Sequence, residues 1–389
     1  MYKTSKILTL FIAALILLMT AVPSFASEQT RTFDLEPGQK IEFDLKHGGS
    51  IDIAGWDKPT AEINISDRRD LSDYELTFDK TSYGLKITAS LSAQRNKNNA
   101  LSFTLNVPHK VDVDFFSGGG GFTLKNVEGQ FKGKTYGGSI KLDDVKGNVA
   151  IKTNGGGIEV INSKVDGAIH TNGGSVLVRD VVGDLYASTN GGEVRYENVR
   201  RRNDRPDNTG HSGKGKDVKG ETVHVKTNGG DIDVDEAPDG AIVYTGGGEI
   251  NINNADKFVE ANTGGGDIDI RTKSGWIKAT TGAGNIDVTI DQDTDGEGDI
   301  TIFTGSGDVT VTVPKGFSME LDIDLGYTRY SFKNYRIISD FDFKIEKTDK
   351  WDYSQGSPRK HIYGTGKIEG GRHKIKIRSV NGSVEIKKK

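Results

Sequence analysis

Most of the chain alternates apolar and polar residues, which is the pattern of strands with one buried face. A turn motif, Thr-Asn-Gly-Gly, punctuates this alternation at residues 153–156, 171–174, 189–192 and 227–230. Related glycine turns stand at residues 119, 137, 246, 264, 282 and 305, and the series 119, 137, 155, 173 and 191 advances by 18 residues at each step. A fixed period of this kind is typical of stacked-repeat proteins.

Each repeat supplies two short strands, one after the turn and one before it. Two apolar columns follow the turns: Ile140, Ile158, Val176, Val194, Ile232, Ile250, Ile268, Ile286 and Val309, and Leu142, Val160, Val178, Tyr196, Val234, Ile252, Ile270, Val288 and Val311. A single hairpin of this size is marginally stable, whereas stacking buries the apolar faces continuously. The pattern predicts an all-β fold, a β-solenoid of roughly 18-residue coils with β-rich N- and C-terminal caps.

The turns need residues with special backbone properties. Glycine reaches positive φ or permits close approach of neighbouring coils, and asparagine satisfies local backbone groups. Stacking predicts hydrogen-bonded ladders of Asn154, Asn172, Asn190 and Asn228 and then of Thr245, Thr263 and Thr281. Ten turns at ~4.8 Å per stacked strand give a rod of roughly 50 Å.

The first 26 residues form a predicted signal peptide. Lys3 and Lys6 precede an apolar run over residues 7–19, and the small residues Ser24 and Ala26 fit a cleavage site. The run is shorter than the ~20 residues that a transmembrane helix needs. We therefore expect cleavage after Ala26 and no integral membrane span afterwards.

The period divides the remaining chain into a β-rich N-terminal region (27–116), a Gly-rich solenoid (117–313) and a β-rich C-terminal cap (314–389). The cap is rich in aromatic residues, which either shield the end of the stack or offer a platform for sugars, and we favour the first. Residues 200–220 interrupt the period with seven Lys or Arg and three Asp. We expect an exposed charged insert there, either a solvated loop or a binding loop.

A family resemblance rests on three features: residues 48–59 (Gly-Gly-Ser-Ile-Asp-Ile-Ala-Gly-Trp-Asp-Lys-Pro), the serial Thr-Asn-Gly-Gly repeats, and residues 381–386 (Asn-Gly-Ser-Val-Glu-Ile). Together they resemble the bacterial putative-adhesin family, exported Gly-rich β-strand-repeat proteins with a domain of unknown function. The resemblance covers residues 38–389. It implies a solenoid-like fold and an extracytoplasmic place, and it brings no catalytic residues.

Composition narrows the chemistry. The chain has 389 residues, 51 of them Gly, with a formal net charge of −4 and no Cys. It therefore has no disulfides, thiolate metal sites or cysteine nucleophiles. Its seven histidines lack metal-ligand spacing, and no Gly-x-Ser-x-Gly, HExxH or P-loop motif is present. A net acidic exported chain without a recognisable reader fold is not expected to bind nucleic acid.

Acidic residues concentrate in the later coils. Candidate carboxylates on one strand face are Asp231, Glu249, Asp267 and Asp308 directly after the turns, with Asp233, Asp269 and Asp287 two places on. Carboxylates one coil apart repel each other, which favours bound cations or raised pKa values. They are either solvated surface residues or the acids of an enzyme that cleaves polysaccharides.

The sharpest local motif is the acidic stretch 291–299, which resembles the start of a calcium loop. Alternate Asp oxygens converge on a hard cation, and Gly296 permits the sharp turn. The candidate Ca²⁺ ligands are Asp291, Asp293, Asp295 and Asp299. An EF-hand is not expected, because Ile302 stands where its final Glu belongs. The alternative is an acidic turn without a cation.

Charge is also distributed unevenly. Residues 227–313 carry 17 acids and 4 bases, whereas residues 359–389 carry 10 bases and 2 acids. Such an asymmetry can steer the basic segment toward anionic envelope polymers or toward the acidic flank of another copy of the chain. Alternatively, the basic and acidic segments compensate each other within one chain. We expect an exported, non-enzymatic β-solenoid, secreted, periplasmic or at the cell surface, that binds envelope polymers or surface proteins. The alternatives are an enzyme acting on acidic polysaccharide and an envelope-stress signalling component.

Overall fold

The computed structural model describes residues 27–67, 71–91, 101–200, 223–292, 298–329, 334–354 and 356–389. This part of the chain is almost entirely β-strand, with one 3₁₀ turn at Leu71–Asp73. It contains no helix with the length and apolar character needed to cross a membrane. The predicted signal peptide, residues 1–26, lies outside the described residues.

The N-terminal region holds eight strands: β1 (Ser27–Asp34), β2 (Lys40–Leu45), β3 (Ser50–Trp56), β4 (Thr60–Asp67), β5 (Tyr74–Thr81), β6 (Gly84–Leu91), β7 (Ser102–Pro108) and β8 (Asp112–Ser117). The coils hold β9 (Phe122–Thr135), β10 (Ile140–Thr153), β11 (Ile158–Ile161), β12 (Lys164–Thr171), β13 (Val176–Val182), β14 (Leu185–Thr189), β15 (Val194–Arg200), β16 (Val223–Thr227), β17 (Ile232–Val234), β18 (Ala241–Thr245), β19 (Ile250–Ala255), β20 (Phe258–Thr263), β21 (Ile268–Thr272), β22 (Trp276–Thr281), β23 (Ile286–Ile290), β24 (Ile300–Thr304) and β25 (Val309–Val313). The last six are β26 (Met319–Thr328), β27 (Ile337–Ser339), β28 (Lys344–Lys347), β29 (Arg359–Ile368), β30 (His373–Val380) and β31 (Val384–Lys388).

Two stacks of parallel strands run along the molecule. Stack 1 contains the strands that follow each glycine turn, odd-numbered from β11 to β25, and stack 2 contains the strands that precede it, even-numbered from β12 to β24. The long strands β9 and β10 bend around a corner and contribute to both stacks. Neighbouring strands pair in register, so that Ile140 pairs with Ile158 and Ile158 with Val176.

The core runs the length of both stacks. Every residue of the two predicted apolar columns of stack 1 is at most 2% exposed. Val149 and Ile151 of stack 2 are buried as well, and all of these residues belong to one hydrophobic cluster. The largest side chain in it, Tyr196, donates its hydroxyl to the Leu185 carbonyl at 2.8 Å. The predicted all-β solenoid is confirmed.

The coils on either side of the charged insert are direct neighbours. Val194 of β15 pairs with Ile232 of β17, and Ala187 of β14 pairs with Val225 of β16. The register of both stacks therefore continues past the insert. Residues 201–222, which make up most of that insert, lie outside the described residues.

The N-terminal region extends the same two stacks. In stack 1, β3 pairs in parallel with β9, so that Asp52 lies beside Thr123. In stack 2, β2 pairs with β8, and β8 pairs with β9. One more parallel strand follows in each stack, β7 beyond β3 and β6 beyond β2. Antiparallel strands then complete the end, with β4 and β1 beyond β7 and with β5 beyond β6. These strands cover parallel edges that would otherwise invite pairing with other chains.

At the C-terminal end the chain leaves the stack and returns to it. β31 pairs in register with β25 and β30 with β24, so the repeat copy at residues 381–386 is a true coil. β26, β29 and β28 add further strands beyond β30. Aromatic side chains of this region that pack against the core are Tyr327, Tyr335, Phe341 and Phe343, while Tyr330 and Phe332 lie outside the described residues. With both ends included, the strand spacing gives a rod of about 75 Å.

Close backbone approach requires glycine at the last glycine position of each turn, and in the later turns also at the first, as at Gly264. A Cβ built on Gly266 or Gly284 would overlap the carbonyl group of the glycine one coil earlier, and neither residue has a left-handed φ. The preceding position is open, since a Cβ on Gly265 would meet nothing within 4 Å. The chain itself places Ala283 at that open position in a later turn.

Buried threonines tie each turn to the turn before it. Thr263 Oγ1 donates to the Gly248 carbonyl at 2.8 Å and accepts the Gly266 N–H at 3.2 Å. The same donation to a glycine carbonyl is made by Thr135, Thr153, Thr171, Thr189, Thr227, Thr245, Thr281 and Thr304. The predicted threonine ladder therefore bonds to the backbone of the neighbouring coil.

The predicted asparagine ladder is confirmed as a chain of side-chain bonds. Asn172 donates its Nδ2 to Asn154 Oδ1 at 3.1 Å, and Asn190 donates to Asn172 at 2.9 Å. Asn228 continues the ladder across the insert by donating to Asn190 at 3.1 Å. These amides are exposed, so the ladder contributes mainly by fixing the register.

We predict that two adjacent glycines respond oppositely to a methyl group. Gly266→Ala should destabilise the protein by roughly 2 kcal/mol or more, because the overlapping coil backbones must separate. Gly265→Ala should stay within about 0.5 kcal/mol of the natural chain. Urea unfolding measures both variants, and equal stability of the two would refute the role of close approach.

Candidate functional site

Outward-facing side chains of stack 1 form two columns, because the coils are in register. The corner column, directly after the turns, holds Ser139, Gly157, Ser175, Glu193, Asp231, Glu249, Asp267, Asn285 and Asp308. The strand column, two places on, holds Lys141, Glu159, Leu177, Arg195, Asp233, Asn251, Asp269, Asp287 and Thr310. The candidate carboxylates from the sequence lie in the later half of these columns.

Carboxylates of the corner column hold the backbone of the next coil. Asp231 Oδ1 accepts the Glu249 N–H at 2.8 Å. Asp267 Oδ1 accepts the Asn285 N–H at 2.7 Å, and Asp308 Oδ1 accepts the Ser383 N–H at 2.6 Å. Asn285 does the same for Asp308, which shows that an acceptor is needed there and a charge is not. The sequence pattern did not reveal this structural role.

The strand column contains both a carboxylate with partners and a pair of carboxylates that repel each other. Asp233 accepts the Asn251 amide at 3.0 Å and lies 3.6 Å from Arg195. Desolvation raises the pKa of Asp269, and the charge of Asp287 one coil away raises it further. The predicted mutual repulsion of stacked carboxylates is therefore present at this pair.

The candidate calcium ligands are only partly described. Asp291 lies 2.6 Å from Lys389 Nζ and 3.8 Å from Arg271. Asp299 Oδ1 accepts the Lys374 N–H at 2.8 Å, while Asp293 and Asp295 lie outside the described residues. Among the described residues, no three or more His, Asp or Glu side chains are grouped so that they could hold a metal ion. Calcium binding stays a prediction.

The earlier half of the stack 1 face is grooved. Groove 1 has a volume of about 470 Å³ and spans four coils, because Ser139, Gly157 and Ser175 leave the corner column low. The half-exposed Leu177 contributes apolar surface to it. Its charged rim includes the pair Lys141–Glu159 at 3.1 Å and the pair Arg195–Glu193 at 2.8 Å. This groove runs along the rod, as a site for an extended ligand would.

The outer face of stack 2 carries a second groove, which the sequence pattern did not single out. Groove 2 has a volume of about 410 Å³ and is lined by Tyr186, His224, Val225, Lys226, Ile242 and Tyr244. Desolvation lowers the pKa of His224, and the charge of Asp184 opposes this only in part. The same 18-residue register that defines stack 1 could have located these residues.

Charge compensation occurs where the basic C-terminal strands meet acidic groups. Lys389 pairs with Asp291 at 2.6 Å, and Arg378 pairs with Asp322 at 2.7 Å. Because β30 and β31 stack on β24 and β25, the basic segment lies next to the acidic coils. Part of the charge asymmetry is therefore satisfied within the chain.

Comparison with known proteins gives one strong match and several weak ones. The Toastrack DUF4097 family model matches residues 177–387, more than half of the chain. A solved putative cell adhesion protein from Clostridium sporogenes is 10% identical and covers 93% of this chain and 100% of its own, with a TM-score of 0.19. A putative adhesin from Parabacteroides merdae is 13% identical and covers 74% of this chain and 96% of its own, with a TM-score of 0.27.

A putative lipid binding protein from Parabacteroides distasonis is 14% identical and covers 73% of this chain and 96% of its own, with a TM-score of 0.27. At these scores the solved structures carry no argument about ligands. No curated protein matches the chain in sequence.

We predict opposite effects for two carboxylates on one coil. Asp269→Asn should stabilise the protein at pH 7 by about 0.5 kcal/mol or less, since Asp269 is exposed and water screens its repulsion. Because the pKa of Asp269 is raised, the folded state binds the proton of this carboxyl group more tightly than the unfolded state does. The ionised Asp269 therefore destabilises the folded state as the pH rises above about 4. The gain measured by urea unfolding should therefore shrink as the pH falls through about 4.

Asp267→Ala is the matched comparison. It leaves the Asn285 N–H without its acceptor and should cost about 1 kcal/mol at pH 7. A gain in stability from this variant would show that Asp267 acts as a repelling charge and does not hold the next coil.

The calcium prediction is tested by calorimetric titration. The natural chain should release or absorb heat with Ca²⁺, and Asp293→Ala should not. Lys389→Gln should tighten binding, because it removes a competing cation from Asp291. No heat at millimolar Ca²⁺ would end the proposal.

Proposed function

The chain belongs to the Toastrack DUF4097 family, and we propose that it is an exported, non-enzymatic β-solenoid that binds or scaffolds at the bacterial cell envelope, as an adhesin would. Family membership confirms the resemblance carried by its repeats. Support for an extracytoplasmic place comes from the signal-peptide pattern of residues 1–26 and from the family resemblance.

Groove 1 is the observation that carries the binding proposal. It lies open on a rigid sheet, crosses four coils and combines apolar surface with charged edges. Ligand sites typically pair apolar walls with a few placed polar groups. An elongated partner lying along the rod would contact the same position of successive coils, so its affinity would come from repeated contacts.

The hydrogen bonds of the corner column weigh against the polysaccharide-cleaving alternative. Glycoside cleavage uses two carboxyl groups that are free to exchange protons or attack the sugar. Asp231, Asp267 and Asp308 are each engaged with a backbone N–H of the next coil. Carboxyl groups that hold the backbone of the next coil in this way are not free for that chemistry.

The proposal is tested by sedimentation of chain 27–389 with purified bacterial envelope fractions, with Ca²⁺ and with a chelator. We expect specific retention, no turnover on a polysaccharide panel, and a loss of about tenfold in affinity, or about 1.4 kcal/mol, for Ser175→Arg, which fills groove 1. Retention of nothing specific, or turnover, would overturn the proposal.

Ser383→Arg is the matched control for this experiment. Ser383 occupies the corner position of a later coil and does not line groove 1. The Ser383→Arg variant introduces the same charge and bulk as Ser175→Arg, so it should bind envelope fractions like the natural chain. Equal loss of binding in both variants would place the binding surface elsewhere on the rod.

A further inference from the structure

We infer that groove 2, on the outer face of stack 2, binds a linear acidic polysaccharide. The inference goes beyond the proposed function, which is carried by groove 1, and assigns a ligand class to a second site. Tyr186 and Tyr244 provide surfaces for sugar rings, and lysines on the same face provide the counter-charge.

The first argument is the placement of the aromatic side chains. Parallel register puts Tyr186 one coil before His224 and two coils before Ile242, while Lys226 pairs with Tyr244. Tyr186 and Tyr244 are thus about 10 Å apart along the rod. They keep 41% and 37% of their surface exposed. Because a pyranose ring has an apolar C–H face, it gains from packing on such rings.

The second argument is the charge of this face. Two adjacent outward columns of this face contain no Asp or Glu from β9 to β18: Lys132, Ala150, Ala168, Tyr186, His224 and Ile242, and Lys134, Lys152, His170, Ser188, Lys226 and Tyr244. Acids lie at the borders of these columns: Asp114 of β8 is the register neighbour of Lys132, Asp166 of β12 is buried, and the charge of Asp184 acts on His224. At the C-terminal end of the columns, the next acid, Glu260, pairs with Lys278 at 2.8 Å. On a chain of net charge −4, this surface is a local basic strip that attracts polyanions.

The lysines of the strip are available to a ligand. Among the described residues, Lys132, Lys152 and Lys226 have no ion-pair partner, and Lys134 has only the Tyr136 ring, 4.5 Å away. Ala150 and Ala168 keep the surface low between them. A chain lying along the strip therefore reaches several ammonium groups and then the tyrosines of groove 2.

Groove 2 also offers directional hydrogen bonds. Because burial lowers the pKa of His224, its imidazole is neutral at neutral pH. The neutral ring offers one hydrogen-bond donor and one acceptor to sugar hydroxyls. Next to the groove, His170 Nδ1 is 2.9 Å from Ser188 Oγ. The face therefore combines tyrosine rings, hydrogen-bonding partners for hydroxyl groups and separated lysine charges. This combination suits a polyanion built from sugar rings better than a chain of phosphates, which has no rings to pack.

The test is titration of polygalacturonate into chain 27–389 at low and high salt. We expect binding that weakens with salt, about tenfold weaker binding for Tyr186→Ala and for Tyr244→Ala, and a shallower salt dependence for Lys226→Gln. Tyr186→Phe should bind like the natural chain, because it keeps the ring. The fully methyl-esterified polymer, which has rings without charge, should bind poorly.

Phe303→Ala is the matched control, since Phe303 is an exposed aromatic residue on the same face but outside groove 2. It should leave polygalacturonate binding unchanged. Polyphosphate or single-stranded DNA bound as tightly as polygalacturonate, with the same response to Tyr186→Ala, would overturn the assignment to sugars. Absence of polygalacturonate binding while envelope retention persists would overturn this inference alone and leave the proposed function standing.

Discussion

The contact between backbones at the glycine turns sets the geometry of the whole molecule. At each turn the last glycine lies so close to the carbonyl group of the previous coil that no side chain fits between them, as at Gly266 against Gly248. The buried threonine of the turn bonds across the same interface. Neighbouring coils therefore have one permitted spacing and one register, and every outward side chain acquires a fixed neighbour above and below it.

This register decides the chemistry of the surface. Like residues recur one coil apart, so charges that are dispersed in sequence become columns in space. Where the recurring residue is acidic, the chain uses the corner carboxylates as acceptors for the next coil, as Asp267 does for Asn285. On stack 2 the recurring residues are lysine, alanine and tyrosine, and the columns become a basic strip with a groove. The two stacks thus present different surfaces from one repeat.

Sequence periodicity was sufficient to predict the coils, because a strand buried on one face must alternate and a stacked turn must repeat. The buried columns from Ile140 onward and the ladder from Asn154 follow directly from it. The second corner was missed, although Asn126, Asp144 and Asn162 mark it at 18-residue steps with φ from 51° to 56°. Asn and Asp tolerate this left-handed conformation, so the signal was present but less conspicuous than the glycines.

Other features could not be read from spacing. The pairing of β3 with β9 joins strands separated by five others in the chain, and β31 pairs with β25 although five strands lie between them. Such pairings depend on where the chain reverses in space. Equally, no pattern distinguishes a solvated Asp from one that accepts a backbone N–H, because the partner belongs to another coil. For this reason the sequence offers Asp231 as a catalytic candidate, whereas in the structure its carboxylate holds the backbone of the next coil.

The central claim is that one uninterrupted stack joins the two terminal repeat copies, and a single distance tests it. Asp52 and Glu385 stand in the same column of stack 1, eleven strand steps apart. Since the chain has no cysteine, spin labels at Asp52→Cys and Glu385→Cys report on that pair alone. Electron–electron resonance should give a narrow distribution near 53 Å, about 4.8 Å per step. A broad distribution, or a main distance below about 40 Å, would contradict the continuous stack.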